Sequence, residues 1–169
     1  EYDRDHRKAF FSGNVRIQIG EGTELRTESL LYDQQANVGW TEDRLQLDAQ
    51  EVKGSARGVR YDHANKVAEL KSECEFVVRR SVNKQDGSVG VENIHGVSER
   101  GYYSESELFL LLQGKARLES EGAALSGDEI EASFSEDKKR ITALQCKGNA
   151  SYESKGASDS RRVHGDLLI

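Results

Sequence analysis

The chain has no proline in 169 residues, where average usage of about 5% would give roughly eight. Proline removes a backbone donor and interrupts ladders, so its absence suits long, continuously hydrogen-bonded sheets. Methionine is absent too, so Glu1 is expected not to be a translation start and the chain to be a processed or excised form. No apolar run approaches the ~18 residues of a membrane-spanning helix, and none resembles a signal-peptide core. The longest, Leu108 to Leu112, is only strand length. Any secretion signal or anchor is therefore expected to precede Glu1. Apolar residues make up 36% and aromatics 7%, too few for a large three-layer core, so they must be spent on one face of strands. A basic stripe is missing as well: 24 Lys+Arg against 30 Asp+Glu give a net charge of −6. That mixed, mildly acidic balance excludes nucleic acid as an expected partner.

Chemistry-bearing constellations are equally scarce. His6, His63, His95 and His164 are scattered without metal-ligand spacing and read as surface histidines. Cys74 and Cys146 lack a CxxC partner. They fall on different repeat units, whereas a disulfide needs Cα atoms within about 7 Å, so two free thiols are expected. Gly20-Glu21-Gly22 lacks the third glycine and the helix of a dinucleotide loop and reads as a turn. Asp33, Asp62 and Asp137 recur after aromatics, which suits turn formation through side-chain bonds to backbone rather than carboxylate chemistry. Asp137 to Arg140 reads as a solvated turn, and Trp40 as a repeat-core residue, with a lipid-facing wall as the alternative. A carbohydrate-active solenoid enzyme would need clustered carboxylates on one concave face, and the acids here are dispersed. No catalytic residue, metal site or cofactor is expected.

What the chain does have is repetition. Phe11-Ser12-Gly13-Asn14-Val15, Gln113-Gly114-Lys115-Ala116 and Lys147-Gly148-Asn149-Ala150 share one theme, each read as beginning a short alternating strand. Between them an aromatic, a polar residue and then an apolar pair recur: Tyr32-Asp33 with Val38 and Trp40, Tyr61-Asp62 with Val67 and Leu70, Tyr102 with Leu108 and Leu111, Phe134-Ser135 with Ile141 and Leu144. A spacing of about 30 residues, with one longer interval, points to stacked units that each cover a neighbour's apolar face. Val15-x-Ile17-x-Ile19 and Leu45-x-Leu47 alternate with period two, and almost no window sustains a helical stripe, so the chain reads as nearly all β. Glu105 to Leu112 has helical propensity, but its place in the repeat predicts strand. Residues 81–93 predict a protruding hairpin or loop, or a seam between halves, with a turn at Asp86-Gly87, and 154–162 predict a loop. One apolar face per strand implies sheets facing each other about 10 Å apart.

The stretches FFSGNVRI, ELRTESLLYD and WTEDRLQLDAQEVKGSARGVRYD resemble the LptC type of the periplasmic lipopolysaccharide-transport family. LLQGKARLES, LSGDEIEASFSED, ITALQCKGNASYES and HGDLL resemble its LptA, or OstA-like, type. The two patterns in one chain leave open an LptC, an LptA or a fused member. The resemblance implies an elongated V-shaped β-jelly-roll of stacked antiparallel strands, with residues 1–9 an edge or flexible segment, 10–80 and 94–169 its halves, and 81–93 their seam. It implies a component of an end-to-end bridge that carries lipopolysaccharide between inner and outer membranes, its acyl chains shielded in a groove. Val15, Ile17, Ile19, Leu30, Tyr32, Leu45, Leu47, Val59, Tyr61, Phe76, Val78, Leu118, Ile130 and Phe134 would line that groove, or in the plainer alternative pack as an ordinary sandwich core. Phe11, Val15, Ile17, Val163, Leu167 and Leu168 would sit on docking edges. The implied partners are lipopolysaccharide, other jelly-roll Lpt proteins joined by strand addition, and an inner-membrane Lpt transporter complex. An end-to-end homo-oligomer is one form such stacking takes. The implied location is the periplasm, with an inner-membrane tether outside this chain. A structural β-stack without lipid cargo is the competing reading.

Overall fold

Period-two alternation without proline produces strands much longer than the sequence motifs suggest. The structure, a computed structural model, describes residues 2–3, 7–19, 22–49, 51–83, 88–136, 141–155 and 160–169, with side chains omitted at 19, 80–83, 155 and 160. The turn at Gly20-Glu21, the tip at Asp86-Gly87, the segment Asp137 to Arg140 and the Ile19 side chain therefore lie outside the described residues. Twelve strands follow one another: β1 (Tyr2–Asp3), β2 (Lys8–Ile19), β3 (Thr23–Asp33), β4 (Val38–Asp48), β5 (Val52–Asp62), β6 (Val67–Asn83), β7 (Val89–Ser98), β8 (Arg100–Ser104), β9 (Phe109–Glu119), β10 (Ala123–Phe134), β11 (Ile141–Lys155) and β12 (Ser160–Leu168). No helix occurs among the described residues. The strands form one antiparallel sheet in sequence order, with β7 and β8 together filling the place of one strand between β6 and β9.

Each long strand bends near its middle, and the glycine motif marks the bend. Gly13 and Asn14 (φ 80° and 50°), Gly114 and Lys115 (76° and 49°), and Gly148 and Asn149 (66° and 51°) are all left-handed. In every case two residues on this strand oppose one on a neighbour, as where Ser12 pairs with Ser29 but Val15 with Thr27, Gln113 with Glu129 but Ala116 with Gly127, and Lys147 with Leu167 but Ala150 with Gly165. Such a bulge bends the strand and sharpens its twist, and the left-handed pair is why glycine and asparagine are used there. The motifs thus sit in the middle of β2, β9 and β11, not at the start of short strands. Acids on the neighbouring rung close over the bend: Glu99, between β7 and β8, pairs with Lys115 at 2.7 Å, and Asp128 on β10 accepts from Asn149 Nδ2 at 2.9 Å.

The second repeat element makes the hairpins at one end. Asp33 Oδ1 accepts the N–H groups of Gln35 and Ala36, both at 2.9 Å, and Asn37 (φ 56°) closes the turn. Asp62 Oδ1 takes the N–H of Asn65 at 3.0 Å, with Lys66 (φ 56°) in the closing place. In the third turn Ser104 stands in for aspartate, its Oγ accepting from Glu107 N–H at 3.2 Å before Leu108 (φ 52°). Tyr103, rather than Tyr102, is therefore the counterpart of Tyr32 and Tyr61. Strand pairing also extends from Asn83–Val89 and Lys155–Ser160 outward, so 81–93 contains a hairpin. Residues 154–155 and 160–162 belong to strands, which corrects the wider loop read from sequence.

Backbone hydrogen bonds, foremost from Ala36 for Asp33 and from Asn65 for Asp62, hold both turn carboxyls below their ordinary value of 3.8. Because the folded values are depressed, the carboxylates favour folding at pH above the unfolded value and lose that contribution as pH falls through the folded one. An NMR titration is expected to give both aspartates midpoints below 3.8. Midpoints at or above that value would show that the turns do not use the side chains as described.

Candidate functional site: the inward face of the folded sheet

The bends turn one sheet into two facing arms. In the first arm a registered row runs Ala9–Tyr32–Gly39–Tyr61–Ala68–Tyr103–Leu110–Ala132–Leu144. Two residues nearer the bend runs Val59–Leu70–Gly101–Leu112–Ile130–Cys146–Leu168. In the second arm one row runs Ile17–Leu25–Leu47–Gly54–Phe76–Gly96–Leu118–Leu125–Tyr152–Val163. These rows face one another, because Leu110, Leu112, Ile130 and Leu144 of the first arm pack in one cluster with Phe76, Leu118, Leu125 and Ala150 of the second.

Side-chain alternation then places the remaining sequence-named residues. Leu30, Tyr32, Val59, Tyr61, Ile130 and Phe134 share the inward face of the first arm. Val15, Ile17, Leu45, Leu47, Phe76, Val78 and Leu118 share that of the second. Ile19 pairs with Thr23, and its side chain lies outside the described residues. Trp40 pairs with Leu31 and Arg60, on the opposite, outward face, so it is not a core residue of the repeat. Sequence reading missed Leu112, Ala116, Leu125, Cys146 and Ala150, which with Ile130 form the buried cluster. Leu112 and Ile130 are each 1% exposed. The signal was present in the QGKA and KGNA motifs, whose alanines mark the row next to the bend.

Packing along this face is uneven. A second, smaller cluster joins only Ala56, Val59 and Cys74, with Leu45 and Leu70 against it. On β3 only Thr27 is buried, and its hydroxyl lies 3.3 Å from that of Thr41. Two depressions on the second arm lie mainly on its outward, polar side, one of about 290 Å³ walled by Arg26, Gln46, Lys53 and Glu75, the other of about 450 Å³ beside Lys53, Val77, Arg79 and Val91.

Both sheet edges are largely open among the described residues. β1 covers only Lys8 and Ala9 of β2, which leaves Phe11 about half exposed at 49%. At the other edge β12 pairs with β11 alone, and Val163 and Leu167 are exposed. Phe11, Val15, Ile17, Val163 and Leu168 continue the inward rows to the edges, whereas Leu167 pairs with Lys147 and points the other way.

Among the described residues, titratable groups do not converge on this face. Cys74 and Cys146 are free and buried, and burial pushes both thiols up, which makes them poor nucleophiles. The Cys146 thiol donates to the Ser126 carbonyl at 3.3 Å. His63 sits edge-on to Tyr61 and Tyr32, with ring centroids 4.7 and 6.5 Å away. No group of three metal-ligating side chains occurs among the described residues. An elongated apolar face with open ends can shield an extended apolar ligand and can add strands at either edge.

Residues 1–138 match the family described as LptA/(LptD N-terminal domain) LPS transport protein. That match spans residues 10–80, where the sequence patterns resemble the LptC type, and continues beyond the 81–93 hairpin. No curated protein sequence matches the chain. Among solved structures, the crystal structure of LptH is similar over 100% of this chain and 99% of that one, with a TM-score of 0.51 and 12% identity. LptH is described as the LptA homologous periplasmic component of the conserved lipopolysaccharide transport device from Pseudomonas aeruginosa. At that identity the likeness speaks for the fold.

Proposed function

Since the chain belongs to the LptA/(LptD N-terminal domain) family of LPS transport proteins, we propose that it is a periplasmic lipopolysaccharide carrier that holds lipid A acyl chains between its two arms. The observation that carries this reading is the apolar inward face that continues to both sheet edges, from Phe11 and Ile17 to Val163 and Leu168. An amphiphile crossing water must keep its chains covered, at about 0.8 kcal/mol per CH₂. Arms open along their length can do so while the sugar headgroup stays in solvent.

The open edges of β2 and β12 are where further jelly-roll units would join, by backbone pairing that extends the sheet. A second copy, another Lpt jelly-roll protein or the inner-membrane Lpt transporter would each present such an edge. The described residues act as one stack, with the paired ends of β6 and β7 at the seam of its halves and β1 at its edge. It carries no nucleotide-binding loop, so lipid movement is driven by another component. A tether beyond this chain would keep the unit at the inner membrane.

The test is photo-crosslinking to purified lipopolysaccharide, with a light-activated residue in place of Tyr32 or Tyr61 on the inward face and Arg60 on the outward face. Crosslinks at the tyrosine positions and none at Arg60 are expected. Absence of crosslinks at both tyrosine positions, in folded protein, would overturn the carrier reading and leave a structural stacking module.

A further inference from the structure

The two halves of the inward face are built for different separations of the arms. In the row next to the bend, β2, β3 and β4 carry Val15, Thr27 and Leu45, small residues begin with Ala56 on β5, and the C-terminal strands carry Ala116, Gly127, Ala150 and Gly165. Side chains in this row stand where the arms are closest, so larger ones hold the arms apart and small ones let them meet. Burial follows that difference. β3 and β11 each lie one strand in from a long edge strand, yet β11 buries Cys146 at 0% and Ala150 at 1% exposure, while β3 buries only Thr27. Edge position alone would make the two strands alike.

Phe76 stands at the border. Its row neighbours are glycines on both sides, Gly54 on β5 and Gly96 on β7. A Cβ built on Gly96 would overlap the Phe76 ring, and one on Gly54 would lie 3.2 Å from Phe76 Cβ. The ring therefore lies flat on the Gly96 backbone, in the place where a side chain would stand. From there it packs against the C-terminal cluster. Gly54 leaves a second such place on the N-terminal side, reachable by a change of side-chain rotamer.

We infer that Phe76 is a gate: acyl chains rest between the arms over β2–β4, and the ring on Gly96 closes them off from the close-packed rungs over β8–β11. This rests on the carrier reading above. Movement of lipid toward the C-terminal edge requires the ring to leave Gly96 and the small-residue rungs to part, while the apolar surface of the chain replaces the contacts the ring gives up. The border is set by two glycines flanking one aromatic.

The experiment places a light-activated residue at Leu47, on the N-terminal side of Phe76 in its row, or at Leu118, on the C-terminal side, and supplies purified lipopolysaccharide. With Phe76 intact, crosslinking is expected to be severalfold stronger at Leu47 than at Leu118. Phe76→Ala should bring the ratio toward one. Gly96→Ala, which evicts the ring without removing it, should act in the same direction. Phe76→Leu keeps the site filled and serves if the alanine variant fails to fold, which circular dichroism reports; it should narrow the ratio less. Equal yields at both positions in the parent protein, or a ratio that no folded variant changes, would overturn the gate and leave the carrier reading standing. Absence of crosslinks at Leu47, Leu118, Tyr32 and Tyr61 alike would overturn both.

Discussion

Ile130→Ala is expected to cost about 4 kcal/mol of folding stability, and Leu30→Ala about 1 kcal/mol. Both side chains face inward on the first arm, each two residues from the row that joins Tyr32 and Ala132 to Gly39 and Leu110. Ile130 is 1% exposed and packs in the cluster with Leu112, Cys146 and Ala150, whereas Leu30 is only half buried. Truncating Ile130 leaves a cavity that the paired backbones of β9, β10 and β11 cannot collapse around, so the cavity cost adds to the lost transfer energy. Truncating Leu30 removes surface that is already partly wet. Urea unfolding of the two variants measures the difference. Equal losses would mean that the arms are as tightly closed at β3 as at β10, contrary to the packing described.

Much of this architecture was legible in the sequence, and the parts that were not have a common cause. The absence of proline, the period-two runs and the recurrent aromatic-plus-aspartate turns gave an all-β stack. Asp33 and Asp62 bond to backbone as their recurrence implied. Strand length was hidden by the bends. On β2, β9 and β11 two residues occupy the bend where the neighbouring strand has one, so the inward parity is kept, as in Phe11 and Val15 or Leu112 and Ala116. On β3, β5 and β10 the same bend advances one residue, and the inward set switches parity, from Leu30 to Thr27, from Val59 to Ala56 and from Ile130 to Gly127. Read linearly, a parity switch looks like the end of a strand.

The misplacement of Tyr102 on the sequence repeat has a related origin. Asp33 and Asp62 set the phase of the first two hairpins, but Ser104 fills that place in the third. With two adjacent tyrosines and no aspartate to mark the turn, the repeat slips by one residue. Close packing was harder still to foresee. Alanine and glycine carry little hydrophobic signal, yet Ala116, Gly127 and Ala150 decide how near the arms come. A search for large apolar residues finds Ile17 and Leu47, which are only half buried, and passes over the row that closes the C-terminal half.

That row sets the second large effect. Gly127→Val is expected to destabilise the fold by about 3 kcal/mol, at the upper end for overpacking, with Gly122→Val as a near-neutral comparison. A Cβ on Gly127 would stand 2.5 Å from Cys146 Sγ and 3.0 and 3.1 Å from the carbonyl oxygens of Lys147 and Gly148. The sulfur can retreat only by giving up the bond from its thiol to the Ser126 carbonyl. The carbonyls belong to the bend of β11, where Asn149 is tied to Asp128. Nothing near Gly127 can yield without separating β10 from β11. At Gly122 nothing lies within 4 Å and φ is not in the left-handed region, so added bulk meets only solvent. Thermal unfolding of the two variants isolates the close approach from the general cost of replacing glycine. A Gly127→Val protein as stable as Gly122→Val would show that the small-residue row does not hold the C-terminal arms together. A large loss confined to Gly127 would make the size of one side chain beside the bend the quantity that decides whether a rung stands open or closed.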